Sequence, residues 1–183
     1  MKNRLVNMML AGLLLFLAAC VRPQEKMQKD IAGAEALMNA DTALVPNFHR
    51  ADSLIKMYLL YADQYQDDTL SPDYLFKAGE LCVGVGRFDQ AMDHFGRVQR
   101  YPNYKRVASA LFMQGFVAEN HLHNTDKAKE CYEKFLKLYP DHALAGDARI
   151  LLSQLSISPE DLVKMFEQQN VAGGMGDSTA ANN

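Results

Sequence analysis

Hydrophobic residues recur along most of the chain at intervals of three and four, the spacing of one face of an α-helix. Between residues 31 and 65 this pattern predicts two helices, separated by a break near Val45-Pro46-Asn47. Six more helices are predicted: from Ser71 to Gly84, from about Phe88 to Arg100, around 108–116, around 128–139, after Asp141, and from Ser158 to about Gln168. No stretch of useful length alternates hydrophobic and polar residues as a half-buried strand would. The chain is therefore predicted to be all-α, with about eight helices.

Residues at the predicted helix ends refine these boundaries. Ser71 is followed by Pro72, which suits a Ser N-cap with Pro at the first helical position. Asp141 is placed to cap the helix after Pro140, and Ser158-Pro159-Glu160-Asp161 has the form of a capping box. Residues 170–183 have no periodicity and little apolar bulk, so they are predicted to be a disordered tail.

The first nineteen residues have the composition of a secretory signal peptide. Lys2 and Arg4 precede an unbroken apolar run from Met8 to Ala19, which is the usual order of the basic and apolar regions. The run is shorter than the roughly 20 residues that a membrane-spanning helix needs, and polar residues follow it at once. A cleaved signal peptide is therefore favoured over an uncleaved anchor or a buried core helix.

The end of the apolar run, Leu17-Ala18-Ala19-Cys20, resembles the lipobox of bacterial lipoproteins. The resemblance implies that residues 1–19 are removed, that a diacylglyceryl group is attached to the sulfur of Cys20, and that its free amine is usually acylated. Two or three acyl chains hold a protein on a membrane far more stably than one does. Cys20 is thus the expected lipid-attachment site, and this lipid is the only covalent group expected.

Charge narrows the range of partners. Loss of Lys2 and Arg4 with the signal peptide changes the formal net charge from −3 to −5. A mildly acidic chain without a basic block argues against a nucleic-acid partner, and against electrostatic membrane binding beyond the lipid. The expected organisation is a signal peptide at 1–19, the lipidated Cys and a polar tether at 20–30, a helical domain at 31–169, and the tail at 170–183. Residues 21–30 could also be the start of a helix.

Two segments share a set of small and aromatic residues at similar spacing. Gly79 precedes Ala91 by 12 residues and Phe95 follows Ala91 by 4, while in the second segment the corresponding residues are Gly115, Ala128 and Tyr132, with intervals of 13 and 4, and Pro140 follows. Residues 72–140 thus resemble two tetratricopeptide units. Pro102 comes one residue early in the first unit, and the second has an extra residue in its turn. The flanking pairs at 31–65 and 141–168 resemble degenerate terminal units, and the alternative to a repeat is an ordinary helical bundle. In such units the small Gly and Ala permit close crossing of the two helices. The resemblance implies a right-handed helical solenoid of helix-turn-helix repeats.

A lipobox combined with such repeats resembles the periplasmic tetratricopeptide lipoproteins of Gram-negative bacteria. That group includes the helical lipoprotein of the outer-membrane β-barrel assembly machine and the coordinator protein of the Tol–Pal system. The segment from Phe135 to Ala145 is the closest local match. The resemblance implies a lipid-anchored scaffold that binds an envelope protein or peptide in outer-membrane assembly or envelope maintenance. Val21 is not the Asp that usually retains enterobacterial lipoproteins in the inner membrane, so the outer membrane, facing the periplasm, is the expected location.

Family position also implies a binding groove, formed by the first helix of each pair. Phe76 lies off the main apolar stripe of its helix, so it is either a groove residue or a packing residue, and packing is favoured for Phe112 and Phe116. The full set of groove residues implied by the resemblance is Asp73, Phe76, Glu80, Ser109, Phe112, Phe116, Glu119, Asp147 and Leu151.

Residues that could support catalysis or bind a metal are sparse. His121 and His123 flank one residue in a predicted turn, where a solvated turn is favoured over a metal clip. Cys82 and Cys131 lack the near neighbours of a zinc site, and buried free thiols are favoured over a disulfide. The chain is therefore expected to be neither an enzyme nor a cofactor-binding protein. The alternative function is a ligand- or glycan-binding lipoprotein of a nutrient-uptake system, although such chains are longer and this one has no Trp.

Overall fold

A computed structural model describes residues 23–40 and 47–156, which form seven helices and contain no strand. The helices are α1 (Pro23–Asn39), α2 (Phe48–Gln64), α3 (Ser71–Gly84), α4 (Phe88–Val98), α5 (Val107–Asn120), α6 (Thr125–Leu138) and α7 (Ala145–Gln154). The predicted all-α fold is confirmed over these ranges. The predicted signal peptide, Cys20, the predicted helix at 158–168 and the predicted tail lie outside the described residues.

The chain divides into two compact units, one ending at Ala110 and the other beginning at Leu111. In the first unit α1 packs on α2, α2 on α3, and α3 on α4. In the second unit α6 packs on α7, and the part of α5 after residue 110 contacts α6. Both cores are closed by large side chains with less than 2 % of their surface exposed, among them Tyr61, Leu75, Phe76 and Phe95 in the first unit and Val117, Tyr132 and Phe135 in the second.

The same connector follows α2, α4 and α6. Each connector begins at a Tyr, whose carbonyl accepts a hydrogen bond from the backbone N–H three residues later. The carbonyl of that later residue accepts in turn from the N–H six residues after the Tyr. The Tyr residues are Tyr65, Tyr101 and Tyr139, and the next helices begin at or beside Ser71, Val107 and Ala145. Because the connector recurs at 65–71, the pair α1–α2 is a repeat in the same register as the two pairs that the sequence indicated.

Of the two alternatives for residues 21–30, the start of a helix holds from Pro23 onward, where α1 begins, and the tether is wrong there. The Nε2 atoms of Gln24 and Gln28 donate to the hydroxyl of Tyr61 at 3.0 and 2.7 Å, and Ile31 is fully buried. These contacts hold α1 against α2 from its first turn. Residues 23–30 are rich in Gln, Glu and Lys, a composition that is also typical of a linker, because only one face of this helix makes contacts.

Two predicted N-caps are also wrong. The N-cap of α3 is Leu70, and Ser71 lies inside the helix, where its buried hydroxyl donates to the carbonyl of Tyr65. The helix after Pro140 begins at Ala145 rather than near Asp141, since the turn of the third connector occupies residues 139–145. In both places the connector uses residues that would otherwise start a helix.

A pH-dependent stability is expected from His94 on α4. The side chain is 6 % exposed, and its ring nitrogens make no hydrogen bond of good geometry, although Nδ1 lies 3.4 Å from Oδ2 of Asp93. Burial holds the pKa of His94 below its ordinary 6.5, with Arg97 acting in the same direction and Asp93 and Asp63 opposing it. Below pH 6.5 the unfolded chain therefore binds a proton before the folded chain does, and stability falls as the pH decreases. Urea unfolding between pH 7 and about pH 5 should show a smaller fall for His94→Leu than for the wild type.

Both described cysteines are free, and both are buried in helices, Cys82 on α3 and Cys131 on α6. Burial raises the pKa of the Cys82 thiol to about 11 and also raises that of Cys131. Because the thiolate is the reactive form, iodoacetamide at pH 8 should label neither thiol in the folded protein and both in urea. Rapid labelling of the native protein would contradict this burial.

Candidate partner-binding surface

The helix pairs α3–α4 and α5–α6 cross at two glycines. A Cβ placed on Gly79 would lie 2.6 Å from the ring of Phe95, and one placed on Gly115 would lie 2.6 Å from the ring of Tyr132. Both rings are fully buried. The glycines therefore let an aromatic ring on the second helix reach the backbone of the first.

A tyrosine-to-glutamate hydrogen bond joins the two helices in two of the pairs. The hydroxyl of Tyr132 donates to Oε2 of Glu119 at 2.8 Å, and the hydroxyl of Tyr58 donates to Oε1 of Glu35 at 2.7 Å. Burial, together with these carboxylates, raises the pKa of both tyrosines. Glu119, a predicted groove residue, is therefore a structural acceptor and only partly accessible.

On the first unit the candidate surface is built around Lys77 of α3. Its Nζ lies 2.9 Å from Oε1 of Glu35 and 3.2 Å from Oδ2 of Asp73, and Oδ1 of Asp73 accepts from the hydroxyl of Tyr104 at 2.9 Å. Burial alone would lower the pKa of Lys77, but the two carboxylates outweigh it and the net shift is upward. The predicted groove residue Asp73 thus belongs to a network that fixes α1, α3 and the connector after α4.

Phe76 is a packing residue, which resolves the alternative left open by the sequence. Its side chain is 1 % exposed, and its ring meets Phe95 edge-on with centroids 5.3 Å apart. The guanidinium of Arg106 covers the ring, 3.5 Å from its centroid, and pairs with Glu80 at 2.7 Å. The accessible surface at this position is therefore the exposed Glu80 and the half-buried Arg106, and Phe76 does not contribute a ring to a groove.

The remaining predicted groove residues have unequal exposure. Ser109 is half-buried. In the second unit Phe112 is buried against Tyr132 and Phe135, whereas Phe116 is partly exposed beside His121. Asp147 is exposed in the first turn of α7, and Leu151 is half-buried one turn later.

A cleft of about 660 Å³, which sequence reasoning missed, lies between the first two connectors. Its aromatic and proline lining comes from Pro72, Tyr101, Pro102 and Tyr104, and its charged rim includes Asp67, Arg100 and Lys105. The sequence gives no direct signal for it, because the two loops are far apart along the chain. Their repeated Tyr is the only feature that could have aligned them.

Other chemistry is limited over the ranges that the structure describes. No group of three or more His, Cys, Asp or Glu side chains there could hold a metal ion. His123 occupies a left-handed turn position, with φ 51°, between α5 and α6. Within the same ranges no helix has both the length and the hydrophobicity to span a bilayer.

Comparison with known proteins identifies the repeat. Residues 109–142 match the family model of the tetratricopeptide repeat. The chain therefore has a tetratricopeptide-like helical repeat fold. The matched segment includes Gly115, Ala128, Tyr132 and Pro140, so the second of the two predicted units is confirmed. Repeats of this class present extended surfaces to other proteins, which supports a role in protein–protein interaction.

Among solved structures, the chain is similar to the crystal structure of MamA. The sequences are 18 % identical, the similarity covers 83 % of this chain and 99 % of that one, and the TM-score is 0.38. No curated protein matches the sequence significantly.

Proposed function

We propose that this protein is a non-enzymatic scaffold, anchored by lipid on Cys20 to the periplasmic side of the outer membrane, that binds an envelope protein or peptide. The tetratricopeptide repeat at 109–142 carries the proposal. The lipobox-like Leu17-Ala18-Ala19-Cys20 supports the anchor, and the placement follows the family resemblance. No cofactor is required for such a role, and neither the charge nor the repeats favour nucleic acid as the partner.

The anchor is tested by replacing Cys20 with Ala. The wild type should fractionate with the outer membrane, whereas Cys20→Ala should remain uncleaved or become soluble. An outer-membrane fraction equal to that of the wild type would contradict the lipid anchor. Labelling of the wild type with a radioactive fatty acid provides the matching chemical measurement.

The partner is tested by photocrosslinking in living cells from a residue introduced at Glu80. This side chain is exposed on α3 and lies beside Arg106, so a photoreactive group there avoids the buried Phe76. Asp89, exposed on α4, is the matched control. A specific envelope protein captured from position 80 and not from position 89 supports the scaffold, and equal patterns from both positions contradict a surface on α3.

The cleft between the first two connectors favours one second candidate, the binding of a glycan or other small ligand for nutrient uptake. Its volume is within the range of small-molecule sites, and Tyr101 and Tyr104 offer aromatic surface to a sugar ring. Glycan-dependent thermal stabilisation that is lost in Tyr101→Ala would favour this candidate over the scaffold.

A further inference from the structure

We propose that the outer face of α1 lies on the membrane surface, with Leu37 against the phospholipid headgroups. This inference rests on the lipid attachment at Cys20 proposed above. It adds a second contact with the bilayer and a fixed orientation of the first unit, neither of which an anchor on a flexible tether would give.

The chain between the anchor and the fold is short. Cys20 is three residues before Pro23, where α1 begins. Three residues span at most about 10 Å even when fully extended. Whatever the conformation of these residues, the start of α1 is held close to the lipidated residue.

Helix α1 is fixed to the folded unit, so it cannot increase the distance between Cys20 and that unit. Gln24, in the first turn, donates to Tyr61 and to Asp68. Near the other end of α1, Glu35 accepts from Tyr58 and pairs with Lys77. Lifting the unit from the bilayer would require breaking these contacts, so the unit itself lies beside the membrane.

The outward face of α1 differs from the face that packs on α2. The side toward α2 carries Gln24, Gln28, Ile31 and Glu35, which make the contacts described above. The opposite side is exposed and carries Asp30, Gly33, Ala36, Leu37 and Ala40, with no charged residue after Asp30. Leu37 is 62 % exposed, the highest value among the large hydrophobic residues found exposed.

Other exposed residues lie at the two ends of α1. The carbonyl of Leu37 accepts from Arg50, which brings the start of α2, with Phe48 at 53 % exposed, to the same end of the helix pair. At the end of α1 nearer Cys20, Lys26 and Lys29 are exposed together with Glu25 and Asp30, and Lys26 pairs with Asp30 at 3.5 Å, so the charges of this end cancel. The part of this face after Asp30 is uncharged and carries the exposed Leu37, which suits contact with the interfacial plane of a bilayer.

The orientation of α1 decides whether Leu37 reaches the lipid. Leu37 is roughly 21 Å along the helix axis from Pro23, at about 1.5 Å per residue. A helix standing upright on its anchor would leave Leu37 in water, whereas a helix lying on its outer face removes Leu37 from it. Burial of exposed apolar area favours the flat arrangement.

The absence of tryptophan from the chain makes the test direct. The lipidated, full-length Leu37→Trp protein is reconstituted into phosphatidylethanolamine–phosphatidylglycerol vesicles, with or without dibrominated phosphatidylcholine. Emission from the introduced indole should be shifted to the blue and quenched by the bromine. Leu60→Trp is the matched control, because Leu60 is 57 % exposed and projects from the side of α2 opposite Tyr58, away from α1. Its emission should be neither shifted nor quenched.

The remaining outcomes separate this inference from the proposed function. If mass spectrometry shows lipid on Cys20 while Leu37→Trp is no more quenched than Leu60→Trp, the inference is overturned and the anchor stands. A blue shift of Leu37→Trp without quenching by bromine means that a protein or a second copy covers the face, which also overturns it. If Cys20 carries no lipid, the anchor and the inference fail together.

Discussion

Replacing Gly115 with Ala is expected to destabilise the protein by about 2 kcal/mol. The added Cβ would lie 2.6 Å from the ring of Tyr132, and overpacking of this kind costs about 1–3 kcal/mol. The ring cannot move away easily, because Phe112, itself packed on Phe135, is beside it in the core and its hydroxyl is bonded to Glu119. The cost should therefore be at the upper end and exceed the gain of about 1 kcal/mol in helix propensity that Ala brings over Gly.

Urea unfolding of three variants tests this expectation. Gly33→Ala is the matched control, since a Cβ on Gly33 meets nothing within 4 Å, and it should raise stability by up to about 1 kcal/mol. Gly79→Ala should behave like Gly115→Ala, because Phe95 is equally close. Combining Gly115→Ala with Tyr132→Leu should cost less than the sum of the two single changes. Stabilisation by Gly115→Ala would show that the two helices do not approach this closely.

Replacing Glu35 with Leu is expected to cost about 2–3 kcal/mol, since hydrogen bonds to charged groups contribute about 1.5–3 kcal/mol and an unsatisfied buried partner adds to the loss. Glu35 accepts from the hydroxyl of Tyr58, a residue only 3 % exposed, and pairs with Nζ of Lys77. Glu35→Gln keeps an acceptor for Tyr58 but removes the charge facing Lys77, so it should cost less than Glu35→Leu.

The control for Glu35 is Glu130 on α6. Its carboxylate pairs with Lys127 at 2.8 Å, a similar distance, but 63 % of its side chain is exposed. Exposed pairs contribute about 0–1 kcal/mol, so Glu130→Ala should have little effect on the urea midpoint. Equal losses for the two glutamates would contradict a structural role for the network around Lys77.

Several features of the fold could be read from local sequence. Helix periodicity, the breaks at Pro102 and Pro140, and the Gly–Ala–aromatic spacing all depend on residues close together in the chain. They predicted the seven described helices to within a few residues at most ends, and the second repeat is confirmed by the family match. Physical rules that act within one or two helical turns were sufficient for these features.

The repeat formed by α1 and α2 was harder to recognise. Tyr65 matches Tyr101 and Tyr139 in its connector, but it lacks the Pro that follows those two. Ile31 lies four positions before Glu35, which is the position that Gly115 has relative to Glu119. The α1–α2 pair therefore has Ile where the later pair has Gly. The backbone hydrogen bonds of the connector do not depend on these side chains, so the register survives although the sequence signature does not.

Sequence by itself determined that the chain is helical, where Gly79 and Gly115 must be small, and that Cys20 is the candidate for lipid attachment. Only the tertiary structure decided that Pro23 already belongs to the folded unit, that Phe76 is covered by Arg106, and that Lys77 joins Glu35 to Asp73. The physical reason is that exposure and ion pairing depend on side chains distant in sequence. Periodicity shows which face of a helix is apolar, but not which neighbouring helix or charged side chain will cover it.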